Sequence, residues 1–169
     1  MLTLFEIHSS EQWKPWQGEM NQLVHQLAVN GDAIVSGLIE LDAPKIYAHV
    51  EQLAADDNAK VALIMDVDED KQTTTLRGFI AVNQEDERVH CAYLSTSSKL
   101  KAKDFHKICN DFVDDAGREW GKKYKTFFSM RAAEMDIKER GATTRKVKHF
   151  GMKPVIVIYG GLVGEKAVI

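Results

Sequence analysis

The sequence predicts an α/β fold of the α+β kind, with a mixed, mostly antiparallel central sheet flanked by helices in the order β-α-α-β-β-β-α-β-α-β, all within one domain covering residues 1–169. Three observations carry that expectation. Three runs of strand character follow one another mid-chain, "KVALIMDV", "LRGFIAV" and "RVHCAYLS", separated by the polar connections "DEDKQTTT" and "NQEDE". Phe105, Ile108, Phe112, Ala116 and Trp120 then recur at helical spacing on one face. Strand-like and helix-like stretches alternate from there on.

Each element has its own local signal. "LTLFEIH" opens the chain with β-type residues, and Ser9 followed by Gln12 has the form of a capping box. In "PWQGEMNQLVHQLAVNG" the residues Trp16, Met20, Leu23, Val24 and Leu27 mark a helix, with Pro15 suited to its first turn and Asn30–Gly31 to its end. Asp42 and Pro44 start a second helix whose stripe is Ile46, Val50 and Leu53. The three mid-chain runs read as an antiparallel meander. The connection "LSTSSKLKAKDF" leads into a helix expected to start near Phe105, capped by Asp104 or the serines, and to end near Gly121. "KTFFSMR" reads as a strand, "ATTRKVKHFGMK" as a short helix ending near Gly151, and "PVIVIYG" as the last strand.

Composition narrows the function classes. At 169 residues and 44% hydrophobic content there is apolar material for one continuous core. Lys and Arg total 22 against 25 Asp and Glu, a formal charge of −3 that gives no global attraction for nucleic acid or an anionic membrane. The runs "VALIM" and "VIVIY" are too short to span a bilayer. Cys91 and Cys109 fall in a strand and a helix, and a reduced, buried, structural role in a cytoplasmic protein is the expectation.

The element order, with a polar loop joining the fourth predicted strand to a long amphipathic helix, resembles the GNAT family of acyl-CoA-dependent N-acetyltransferases over nearly the whole chain. "GATTRKVKHFGMK" is similar to the family's NxxAxxxxxKxGF-type sequences, with Gly151 and Met152 in place of the Gly-Phe pair. The stretch is also similar to small GNAT-like proteins of tailed bacteriophages, which implies a virion location as the alternative to a cytoplasmic one.

The resemblance implies acetyl-CoA as cofactor, bound by a Q/R-x-x-G-x-G/A loop whose backbone amides close around the pyrophosphate at a helix N-terminus. Laid on "KLKAKD", the signature starts at Lys99 and its two small positions fall on Ala102 and Asp104; slid by one residue, they fall on Lys101 and Lys103. The residues implied to bind the cofactor are Leu94, Thr96, Lys99, Lys101, Ala102, Lys103 and Asp104. Either the lysines replace shape by charge, or the loop is a solvated connection.

No catalytic residue is assigned. The family's thiolate-protonating tyrosine falls here on Val147, with His149 and Tyr159 nearby. His90 is a candidate base, and it shares a site with Cys91 only if the strand is bulged. Ser129 marks where the resemblance places the parting of two strands around the pantetheine arm. Arg145, Lys146, Lys148 and Lys153 form a basic set suited to a phosphate or an acidic partner.

No metal is expected. His106 and Cys109 share a helical face without further ligands, and "DVDEDK" has Lys71 and Arg77 where a calcium loop needs glycine and glutamate. Two functions stand side by side: an N-acyltransferase with a degenerate loop, and an inactive binding or assembly protein. The segment "GGLVGEKAVI" is the expected contact with a protein partner or a second copy of the chain.

Overall fold

A computed structural model describes residues 1–30, 34–35, 39–40, 42–129 and 157–166. The predicted helix at "ATTRKVKHFGMK", with Val147, His149, Gly151 and the basic set around them, lies outside the described residues.

The chain opens with β1 (Leu2–Ile7), a 3-10 turn (Ser10–Trp16) and α1 (Gln17–Asn30). Gln12 closes the predicted capping arrangement by accepting, through Oε1, the backbone N–H groups of His8 at 2.6 Å and Ser9 at 3.3 Å. Pro15 sits inside the 3-10 turn, not in the first turn of α1. It has no N–H to give to a carbonyl four residues back, so regular α-helical pairing starts only after it. A two-residue hairpin follows, β2 (Ile34–Val35) with β3 (Ile39–Glu40), which the sequence did not announce. α2 (Ala43–Ala55) begins as expected: Asp42 Oδ1 accepts from the Lys45 amide at 3.0 Å, and Pro44 occupies the first turn.

The meander is β4 (Ala59–Asp68), β5 (Thr73–Glu85) and β6 (Arg88–Thr96). β5 outruns the predicted "LRGFIAV" at both ends, because Thr73–Thr75 and Asn83–Glu85, read as connection, continue the ladder. Pairing with β4 at one end and with β6 at the other holds these polar residues extended despite their loop-like composition. The turns that remain place Gln72 and Asp86 at φ 52° and 48°.

α3 (Ala102–Glu119), β7 (Tyr124–Ser129) and β8 (Val157–Leu162) complete the described elements. Among the described residues the main sheet has the order β1-β4-β5-β6-β7-β8, with β6–β7 as its one parallel pair. α1 and α2 cover one face over Trp13, Met20, Ile46, Leu63 and Phe79; α3 covers the other over Ala62, Ile64, Ile80 and Val82.

Two register steps govern which side chains face which layer. Between β4 and β5 the pairing steps from Ile64↔Gly78 to Met65↔Leu76, leaving Arg77 as the extra residue. Between β5 and β6 it steps from Ala81↔Tyr93 to Val82↔Cys91, leaving Ala92 extra. Each bulge switches the strand's faces. Val89 and Cys91 therefore pack under α3, whereas Tyr93 packs under α1 and α2.

Candidate functional site

The connection from β6 to α3 is anchored at both ends. Gly78 lies so close to β6 that a Cβ on it would stand 2.6 Å from the Ser95 carbonyl oxygen. Next to it, the Ser97 amide donates to the Arg77 carbonyl at 2.6 Å, and the Leu100 amide to the Ser97 carbonyl at 2.9 Å. Ser95 Oγ, buried, donates to the Leu23 carbonyl of α1 at 2.8 Å. Leu94 and Leu100 pack into the core under α3.

α3 starts three residues before Phe105, at Ala102, which corrects the expected boundary and cap. Lys101 is the N-cap, extended at φ −85° and ψ 141°, and no side-chain hydrogen bond caps the helix. Asp104 lies inside the first turn, where its amide already donates to the Lys101 carbonyl at 2.9 Å. The first amides of α3 thus keep the donor capacity that a helix N-terminus offers to an anion. Lys99, Lys101, Ala102, Lys103 and Asp104 are all exposed, and Thr96 ends β6 opposite Gly78.

β6 and β7 run side by side only briefly. Their parallel pairing extends from Arg88↔Tyr124 to Cys91↔Phe127; β6 then continues to Thr96 and β7 to Ser129 with no further pairing between them among the described residues. The separation thus opens directly after Phe127, two residues ahead of Ser129. A cavity of about 280 Å³ lies beneath α3 over the paired part of β7 and β8, next to the last β6–β7 pair, lined by Cys91, Asn110, Val113, Lys125, Phe127 and Tyr159 among others.

On the opposite face a cleft of about 1000 Å³ opens between α1, the start of α2, β5 and the β6–α3 connection. Glu19, Gln22 and His25 of α1 line it with Arg77, Ser97 and Lys99. Of the residues implied to bind the cofactor, Lys99 therefore turns to this cleft, while Ala102, Lys103 and Asp104 stand in the first turn of α3. Tyr47 also lines the cleft, but its hydroxyl is engaged: it accepts from Trp13 Nε1 at 2.8 Å and lies 3.1 Å from Gln17 Oε1.

His90 lines neither cleft. It is buried on the face opposite Cys91, with Nδ1 at 2.9 Å from Thr126 Oγ1, and burial holds its imidazole below the usual range. The bulge falls at Ala92, after this pair, and so does not bring His90 and Cys91 to one site. Burial pushes the Cys91 thiol up to about 12 and the Cys109 thiol up to about 11, which leaves both as thiols and unsuited to nucleophilic attack. Among the described residues no group of three metal-ligating side chains comes together, and no helix is long and apolar enough to cross a membrane.

Two polar groupings were not legible in the sequence. His49 Nδ1 lies 2.6 Å from the hydroxyl of buried Tyr93. Lys125 Nζ lies 2.9 Å from Asp114 Oδ1, 2.8 Å from Asn110 Oδ1 and 2.7 Å from the Glu165 carbonyl. This second group ties the start of the expected assembly segment to the chain itself, where Val163 packs on Gly117 and the Gly164 amide donates to Asp114 Oδ1 at 2.9 Å.

No protein-family model matches the sequence, and no curated protein matches it. Solved structures do match in shape. The aminoglycoside 6'-acetyltransferase type Ii superimposes with a TM-score of 0.60 at 10% identity, over 99% of each chain. A GNAT superfamily phosphinothricin acetyltransferase from Sinorhizobium meliloti, in complex with AcCoA, gives 0.59 at 9% identity, over 96% of this chain and 89% of that one. The N-acetylglutamate synthase from Neisseria gonorrhoeae, complexed with coenzyme A and N-acetyl-glutamate, gives 0.55 at 14% identity over 98% of this chain, which spans only 36% of the synthase. At such identities the shared property is architecture, and a fold by itself hosts many activities. The chain has the GNAT fold, the architecture of acetyltransferases.

Proposed function

We propose that this protein is an acyl-CoA-dependent N-acyltransferase in which lysines take over the role of the loop glycines. The observation that carries this reading is the uncapped N-terminus of α3, reached by a short connection from β6, whose end beyond Cys91 runs on without pairing to β7 among the described residues. First-turn amides and Lys101 and Lys103 are the donors suited to a diphosphate there. The gap between the strands suits an extended pantetheine arm. Two of the structural neighbours carry coenzyme A or acetyl-CoA, which supports the choice of donor.

Acetyl-CoA would supply an activated acyl thioester. The chain's own tasks are to hold the phosphates, seat the amine and take up its proton. In the cleft, Glu19 and His25 are the carboxylate and imidazole able to accept that proton. As the N–C bond forms and the C–S bond breaks, the electron pair leaves with the thiolate.

Calorimetric titration with acetyl-CoA and CoA at low salt tests donor binding. Heat of binding is expected, and Lys101→Ala or Lys103→Ala each weakens it about tenfold, the loss of one charge-assisted contact of ~1.5 kcal/mol. Absence of heat in the parent protein rejects the proposal.

A second reading keeps the fold without the reaction, as a binding or assembly protein, a bacteriophage virion component included. Asp104 favours it, since a carboxylate in the first turn of α3 opposes a diphosphate at that position. An unchanged melting temperature with CoA, together with a stable complex with a protein partner, would decide for this second reading.

A further inference from the structure

We propose that the thioester donor of this protein carries a straight hydrocarbon chain of medium length, longer than acetyl, and that the smaller cavity, beneath α3, seats that chain. This deepens the acyltransferase reading by naming the chemical class of its donor, and it rests on that reading for the position of the thioester.

The cavity begins where the donor arm ends. Cys91 and Phe127 both line it, and they are the last pair formed between β6 and β7 among the described residues. Beyond them lies the gap assigned above to the pantetheine arm, so a thioester at the closed end of that gap adjoins the cavity. Its volume of about 280 Å³ far exceeds what the single methyl of an acetyl group fills. At ~30 Å³ for a group the size of water, there is room for a chain of roughly six to eight carbons.

The polar atoms of the lining satisfy one another. An ammonium has three protons to give, and Lys125 Nζ has three oxygens within reach: Asn110 Oδ1 at 2.8 Å, Asp114 Oδ1 at 2.9 Å and the Glu165 carbonyl at 2.7 Å. Asn110 Nδ2 in turn donates to Asp114 Oδ2 at 3.2 Å, and Thr126 Oγ1 lies 2.9 Å from His90 Nδ1. What these groups leave for a ligand is the apolar part of the wall, the methylene stem of Lys125 with Cys91, Val113, Phe127 and Tyr159. A charged or strongly polar group would be desolvated there against partners already engaged, whereas a hydrocarbon chain gains by the same burial.

Gly161 keeps the floor of the cavity open. Lys125 and Phe127 face α3, and the register with β8 sets Gly161 opposite Lys125 and Tyr159 opposite Phe127, on that same face. A side chain at position 161 therefore enters the space under α3. Among the described residues, a Cβ there meets flexible side-chain ends, Glu165 Oε2 at 3.2 Å and Lys125 Cε at 3.8 Å. Gly161→Val thus narrows the cavity without pressing on a neighbouring strand.

Isotope-labelled protein is titrated separately with CoA, acetyl-CoA and hexanoyl-CoA at low salt, and the amide signals of Gly160 and Gly161 are followed. Hexanoyl-CoA is expected to bind at least about tenfold more tightly than acetyl-CoA, through its additional buried methylenes, and to shift both glycine signals. In Gly161→Val the ratio of the two affinities should fall to less than about threefold, and in Gly161→Ala to an intermediate value. Thermal melts establish that the variants are folded. Equal affinity for hexanoyl-CoA and acetyl-CoA, glycine signals unmoved by hexanoyl-CoA, or the full ratio retained in folded Gly161→Val would overturn the inference and leave the donor reading standing. Absence of binding by all three compounds would remove the donor reading and this inference with it.

Discussion

Lys125 on β7 reaches across to Asp114 on α3, with Nζ 2.9 Å from Oδ1 and only 1% of the aspartate side chain exposed. Asn110 and the Glu165 carbonyl share the same ammonium, and the Gly164 amide shares the same carboxylate. One charge pair thus joins α3, the parallel strand and the segment after β8. Removing either partner leaves the other charge uncompensated in a dry setting. Lys125→Met or Asp114→Ala should each cost about 3–5 kcal/mol, and the double variant should cost less than the sum of the two. Urea unfolding of the three variants measures it.

Gly78 and Gly117 make a second, contrasting prediction. A Cβ on Gly78 meets the backbone of β6, the Ser95 carbonyl at 2.6 Å and the Thr96 Cα at 3.2 Å. Strands have to move apart, so Gly78→Ala should destabilise by about 1–3 kcal/mol. At Gly117 the nearest atom is the Val163 methyl at 2.7 Å, a side-chain end. There alanine also gains roughly 1 kcal/mol of helix propensity, so Gly117→Ala should cost clearly less than Gly78→Ala in the same urea assay.

Acid should weaken the fold through one buried and one half-buried histidine, His90 and His49. Burial holds His49 and His90 below their ordinary value of 6.5. For His90, Glu85 acts against that shift and Arg88 with it. As pH falls below about 6.5, the unfolded chain takes up protons that the folded chain still refuses, so the unfolded state gains. The stability from keeping these rings neutral is complete above that pH and is lost toward the lower folded values. Unfolding free energy measured from pH 7 to pH 5 should decline, and less steeply in His49→Gln. A flat profile in the parent would contradict the assignment.

The thiols should be silent in the native protein. Cys91 and Cys109 are buried and held as neutral thiols by that burial. A colourimetric thiol reagent at pH 8 should react with neither on mixing and with both after denaturation. Prompt native labelling would show that the core at the β6–β7 junction is open.

Much of the fold was legible because it is local. Trp16, Met20, Leu23, Val24 and Leu27 repeat at helical spacing, Asp42 and Pro44 mark the start of α2, and the mid-chain strands are bounded by polar turns. The bulges were not legible. Val89, Cys91 and Tyr93 alternate as though they shared one face, yet Ala92 intervenes and sends Tyr93 to the other, a switch set by the partner strand. Nor did the composition of "KLKAKD" show that Lys99 would turn to the cleft beside α1 while Leu100, its neighbour, packed under α3. That division depends on the Ser97–Arg77 and Ser95–Leu23 bonds, which link residues distant in sequence.

Amide signals of Ala102 and Lys103, recorded as acetyl-CoA is added to isotope-labelled protein at low salt, test donor binding at its most specific point. The predicted result is a saturable shift of both signals that is weakened in Lys101→Ala. Saturable binding seen elsewhere with these two amides unmoved, or no binding at all, would contradict a diphosphate seated on the first turn of α3.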